Sequence, residues 1–153
     1  MRNRMTRIAI GVAVAAIGAY AADNSLGTWK LNMEKSKFSP SAPVKSLSTT
    51  REASDGGVKV TTTGERADGA AIESSYTAKY DGSEAEVTGA PFDTISIKQV
   101  NANTFTFSER KKDGKFSVRG RSVVAKDGRT MTNTLRGTNA DGKAYSATMV
   151  FEK

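Results

Sequence analysis

Polar and apolar residues alternate along most of this chain. In "AIESSYTAKY" (71–80), Ile72, Tyr76, Ala78 and Tyr80 fall on one face and Glu73, Thr77 and Lys79 on the other. "FSVRGRSVVA" (116–125) sets Phe116, Val118 and Val124 against Arg119 and Arg121. "AYSATMVFEK" (144–153) sets Tyr145, Ala147, Met149 and Phe151 against Ser146 and Thr148. A period of two sends successive side chains to opposite faces, so each stretch reads as a strand with one buried side. Past the first 21 residues, no segment sustains a 3.6-residue apolar period. Strands are expected near 27–32, 45–53, 58–66, 70–80, 94–100, 104–111, 116–125, 130–138 and 144–152.

The punctuation agrees. Asp-Gly recurs at 55–56, 68–69, 81–82, 113–114, 127–128 and 141–142, with "VNAN" (100–103) as a weaker turn. Both residues of Asp-Gly tolerate positive φ, which suits the tight hairpin turn that matches strand twist. The expected fold is all-β: an antiparallel up-and-down meander of eight or nine strands. A meander of that length leaves exposed edges unless it closes. Gly64, Gly120 and Gly137 lie inside strands, where a small barrel wall bends. A closed or nearly closed barrel is therefore preferred to a strongly curved open sheet.

The N-terminus has a different pattern. Arg2, Arg4 and Arg7 precede the apolar run "IAIGVAVAAIGAY" (8–20), and Ala19-Tyr20-Ala21 places small residues before a cut at Ala22. This is the form of a secretory signal peptide over 1–21. The run is shorter than the roughly 20 apolar residues that span a bilayer, and no cysteine follows it for lipid attachment. The expectation is one domain over 22–153, periplasmic or secreted, with no membrane span in the mature chain, and monomeric. Net charge is +7, from 23 basic and 16 acidic residues. Without the three leader arginines the balance is 20 to 16, a solubility charge.

The chain contains no cysteine and no histidine. Disulfides, thiol nucleophiles, the commonest general base and the usual metal ligands are thereby lost. No metal, no cofactor and no enzymatic activity are expected. Glu84 and Glu86, two apart, flank a turn and read as a solvated loop. Glu109 alternates with Phe105 and Phe107; inside a barrel it would carry a raised pKa or a basic partner. Its closeness to Lys111–Lys112 favours a place beyond the buried zone. Lys98, Arg110, Arg119, Arg121 and Arg136 can align across neighbouring strands. Nucleic-acid binding would want aromatics interleaved there, and Ser and Thr stand instead. Nucleic acid is therefore not an expected partner, and the row reads as a solvated face, at most touching an anionic envelope surface.

Trp29, the only tryptophan, sits in Gly27-Thr28-Trp29 at the start of the first strand. That placement, with "GTWKLN…KSKFSP", "YTAKYDG" and "VTGAPFDTISIKQV", resembles small exported bacterial lipocalin-like proteins of the calycin superfamily. The resemblance implies a tryptophan plug at the barrel base, a long irregular first loop (here 33–43) and a basic side chain stacked on the plug. No arginine stands at the chain's end, which leaves Arg121 or Arg136 for the last role. The lipocalin Thr-Asp-Tyr is missing, as is the helical lid of fatty-acid-binding proteins.

An apolar wall with few polar points is how small-molecule cavities are built. The inward candidates are Tyr76, Phe107, Met131, Tyr145 and Met149, with Asn133 presenting an amide. The abundant Ser, Thr and Ala leave less bulk to fill the centre. The expected function is binding of a small apolar or amphipathic ligand inside the barrel. A cell-envelope module with a filled core is the alternative, and an isomerase or cyclase working without histidine ranks third.

Overall fold

The computed structural model describes residues 22–153; the leader expected over 1–21 lies outside them. Ten strands close one antiparallel barrel in which every neighbour along the chain is a neighbour in the wall. They are β1 (Gly27–Ser39), β2 (Val44–Ser54), β3 (Gly57–Arg66), β4 (Ala71–Lys79) and β5 (Asp81–Thr88). The second half comprises β6 (Thr94–Asn101), β7 (Thr104–Arg110), β8 (Ser117–Val124), β9 (Thr130–Thr138) and β10 (Ala144–Glu152). β1 closes the ring, pairing with β2 through Gly27–Lys30 and with β10 on its other edge.

The expectation of eight or nine strands is short by the fifth. The segment around Glu84 and Glu86 is not a loop but β5, paired to β6 at Glu84↔Ser96, Ala85↔Ile95 and Glu86↔Thr94. Its seam with β4 is narrow, at Ser75↔Thr88 and Tyr76↔Val87. Only Ala85 and Val87 turn inward, too little apolar signal to mark a strand. Glu84 and Glu86 do share the solvent face, and Glu84 ion-pairs Arg110 there.

The long first loop is also corrected. β1 runs on to Ser39, with a bulge between Asn32 and Lys37 before pairing resumes at Lys37↔Thr148. Ser36 bridges the irregularity: its hydroxyl donates to the Asn32 carbonyl (2.6 Å) and accepts from the Val150 amide (2.9 Å).

Five of the six Asp-Gly pairs lie in turns between strands, while Asp81-Gly82 opens β5, and several work by a different mechanism from the one expected. Gly56, Gly69, Gly82, Gly128 and Gly142 have positive φ, but no described non-glycine residue does. The aspartates work through their side chains instead. Asp68, Asp81 and Asp127 each accept a hydrogen bond from the backbone amide two residues on, at 2.9–3.0 Å. This is the Asx-turn that favours Asp at such positions.

Gly120 shows why an interior glycine belongs in the wall. A Cβ there would lie 2.4 Å from Phe107 Cζ and 2.7 Å from the Thr134 carbonyl oxygen. Phe107 is its partner across the β7–β8 ladder and covers the missing side chain.

Three apolar clusters occupy the interior. Trp29, Val124, Met131 and Phe151 form one. Val58, Val60, Ala78, Val87, Ile95, Ile97 and Phe105 form the second, and Val118, Leu135 and Ala147 the third.

Candidate functional site

One end of the barrel is sealed by residues 23–29. Trp29 is 0% exposed and its indole N–H donates to the Ser25 carbonyl at 2.8 Å. Ser25 is also fully buried, and both its amide and its hydroxyl donate to Asp23. The Tyr80 hydroxyl donates to the same carboxylate. Burial and that bonded carboxylate both push the Tyr80 pKa up. Arg51, inward on β2, donates from Nε to the Ser25 hydroxyl at 3.0 Å. Its guanidinium also lies 5.8 Å from the Phe105 ring centroid. The basic side chain over the tryptophan is Lys153, with Nζ 4.8 Å from the ring centroid. Arg121 and Arg136 do not fill that role; both stand exposed on the outer wall of β8 and β9. Sequence reading missed Arg51, although Leu47, Thr49 and Arg51 alternate on one face of β2.

Above this plug the inner wall changes character. Inward side chains at the plug (Trp29, Val58, Phe105, Val124, Met131, Phe151) are buried almost completely. Inward side chains further along the same strands keep part of their surface, among them Leu31, Thr62, Tyr76, Phe107, Tyr145 and Met149. Val118, Leu135 and Ala147 are again almost fully buried, so the lumen is closed at the tryptophan end and unevenly filled beyond it.

All six expected binding residues line the inside. Tyr76 packs on the Val58–Phe105 cluster, Tyr145 on the Val118–Leu135 cluster, and Met131 belongs to the tryptophan cluster. Phe107 and Met149 each bridge two clusters. Asn133 stands on β9 between Ser122 of β8 and Met149 of β10. Its Oδ1 is buried and has no hydrogen-bond partner.

Glu109 corrects the sequence reading. It does not lie beyond the buried zone: it is enclosed by the barrel, flanked in register by Ile95 and Val118, and desolvation raises its pKa to about 7. Among the described residues no hydrogen bond or ion pair reaches its carboxyl. It faces Tyr76 and Tyr145 across the lumen, raising the pKa of both; burial is the larger cause, and carries Tyr145 to about 12. Alternation with Phe105 and Phe107 pointed to this position. β6 and β8 begin level with Arg110, so Glu109 still lies between paired strands, which sequence spacing alone did not reveal.

The interior thus combines an apolar wall with a protonatable carboxyl, an amide and two phenols. That arrangement can hold an apolar body and hydrogen-bond one polar group. Among the described residues no cluster of three or more acidic side chains is placed to hold a metal.

The architecture is a closed, up-and-down antiparallel β-barrel sealed at one end by a buried tryptophan. No family model matches the chain, and no curated protein matches it in sequence. It is similar to a solved structure described as EF1p2_mFAP2b bound to DFHBI, at 10% identity and a TM-score of 0.49. That alignment covers 85% of this chain and 94% of the other. At that distance the likeness carries no functional argument.

Proposed function

We propose that this protein is exported and binds a small amphipathic molecule inside its barrel, as a carrier or sensor related to the lipocalin-like proteins. The observation that carries the reading is Asn133 Oδ1, a buried inward acceptor with no hydrogen-bond partner among the described residues, on the same inner wall as the desolvated carboxyl of Glu109. Leaving a buried acceptor such as Asn133 Oδ1 unsatisfied costs about 1–3 kcal/mol, and burying the Glu109 carboxyl adds a desolvation cost. A module that needed only a filled core would gain by replacing them with apolar residues. A ligand whose head donates a hydrogen bond removes that cost while its apolar body rests on Phe107, Tyr145 and Met149.

Titration of Trp29 fluorescence with fatty acids, quinones and retinoid-like alcohols tests this, since no second tryptophan confuses the signal. At least one class is expected to saturate, with neutral heads favoured over carboxylates above pH 7, where Glu109 ionises. Met149→Trp, assayed by calorimetry, is expected to abolish binding by filling the lumen. A panel without a binder would leave the filled envelope module as the better reading.

Export has its own test. N-terminal sequencing of the exported protein is expected to begin at Ala22, within a residue or two. Such a cut retains Asp23, which anchors Ser25 and Tyr80 at the plug. A retained Met1 on membrane-bound protein would defeat the proposal.

A further inference from the structure

A well-defined hollow lies outside the lumen. It is a groove of about 660 Å³ on the outer wall of β8, β9, β10 and β1. Four exposed cations border it: Arg119, Arg121, Arg136 and Lys37. Among the described residues none of the four makes an ion pair or a side-chain hydrogen bond, whereas Arg110 nearby is paired with Glu84. Arg119 and Arg136 stand directly opposite each other across the β8–β9 ladder. Like charges so placed oppose folding, so the sheet gains nothing from the pair.

The register gives the groove a pattern. One row runs Arg121, Thr134, Thr148, Lys37 across four strands, and the next runs Arg119, Arg136, Ser146, Ser39. With strands about 4.8 Å apart, the cations at the two ends are separated by roughly 14 Å. Along the first row Thr134 and Thr148 lie between them, and the floor is completed by Phe38, Gly120, Leu135 and Ala147. Arg119 also borders a second hollow of about 220 Å³, lined by the paired Glu84 and Arg110, Thr94 and the serines 96, 108 and 117. The hydroxyl track therefore continues past the arginines.

We propose that this groove binds a phosphorylated oligosaccharide, with phosphates at the two cationic ends and sugar hydroxyls on the Ser and Thr side chains between. Charge complementarity requires an anion, and two separated positive ends favour one carrying at least two anionic groups. The Thr and Ser hydroxyls along the groove, set beside apolar carbon, suit the hydroxyls and C–H faces of a sugar backbone. Phe38 is the sole aromatic at the groove, and it packs inward on the Val118–Leu135 cluster, so no ring is offered to a base. A flat bilayer surface does not enter a concave groove. The site is separate from the lumen.

Calorimetry with a bisphosphorylated disaccharide tests the assignment. Binding is expected, with affinity falling as salt rises, and with the dephosphorylated disaccharide and inorganic phosphate each at least tenfold weaker. The double variant Arg119→Gln/Arg136→Gln should lose at least tenfold, and Lys37→Glu should weaken binding independently. Lys59→Gln, on the far wall, and Met149→Trp, in the lumen, should leave it unchanged. Circular dichroism confirms that these surface variants keep the barrel. Unchanged affinity in both groove variants would overturn the proposal. So would binding of phosphatidylglycerol vesicles or single-stranded DNA without the saccharide, or no binding of any probe.

Discussion

Replacing Trp29 by alanine is expected to destabilise the protein by about 3–5 kcal/mol, as deep aromatic truncations do. The side chain is 0% exposed and packs with Val124, Met131 and Phe151, so its loss opens a cavity that strands held on both edges cannot close. The Ser25 carbonyl loses its donor at the same time, and Lys153 loses its ring. Chemical denaturation monitored by circular dichroism measures the effect, since the variant has no tryptophan to report. A loss under about 1 kcal/mol would mean that the barrel end is sealed by the 22–28 segment without its ring.

Glu109 gives the second large effect, and its sign depends on pH. The folded-state pKa is raised from 4.5 to about 7, so the native protein holds a proton that the unfolded chain releases. Stability from this group is complete below pH 4.5 and is lost as pH rises through 7. The shift amounts to about 3 kcal/mol at full ionisation. Asp81, Asp93 and Glu152 act oppositely. Hydrogen bonds, chiefly from Ser83, Lys112 and Lys35 respectively, lower their pKa values, and their contribution is lost only under more acid conditions. Between pH 5 and 8 Glu109 therefore dominates the slope. Glu109→Gln should match the wild type near pH 5 and exceed it by about 2–3 kcal/mol at pH 8. Parallel unfolding curves across that window would show that the carboxyl is solvated. A more stable variant that no longer binds ligand would show stability given up for recognition.

The barrel was legible because alternation and turn chemistry agreed on nearly every strand. β5 escaped because its inward face offers only Ala85 and Val87 while its outward face is acidic, which is also how a loop reads. The C-terminal half of β1 escaped because the bulge after Asn32 breaks the period. For the lumen, alternation placed Tyr76, Phe107, Met131, Asn133, Tyr145 and Met149 on the inner face before any coordinates. It could not place Glu109 in depth, because that depends on its pairing with Ile95 of β6 and Val118 of β8. Arg51 was legible in principle, sharing a face with Leu47 and Thr49, but its partners Ser25, Tyr80 and Phe105 are far away in sequence. Lys153 over Trp29 had no local signal at all: it depends on closure of β1 against β10. The cationic row was readable as an outward face, whereas its concavity comes from strand bending that no local pattern records.

Native mass spectrometry of the protein purified from the envelope of its own host tests the central claim most directly. The account predicts a co-purified mass on the wild type that is absent from Met149→Trp and reduced for Glu109→Gln. Bare protein alone, together with a lumen that takes up no member of the panel, would contradict it.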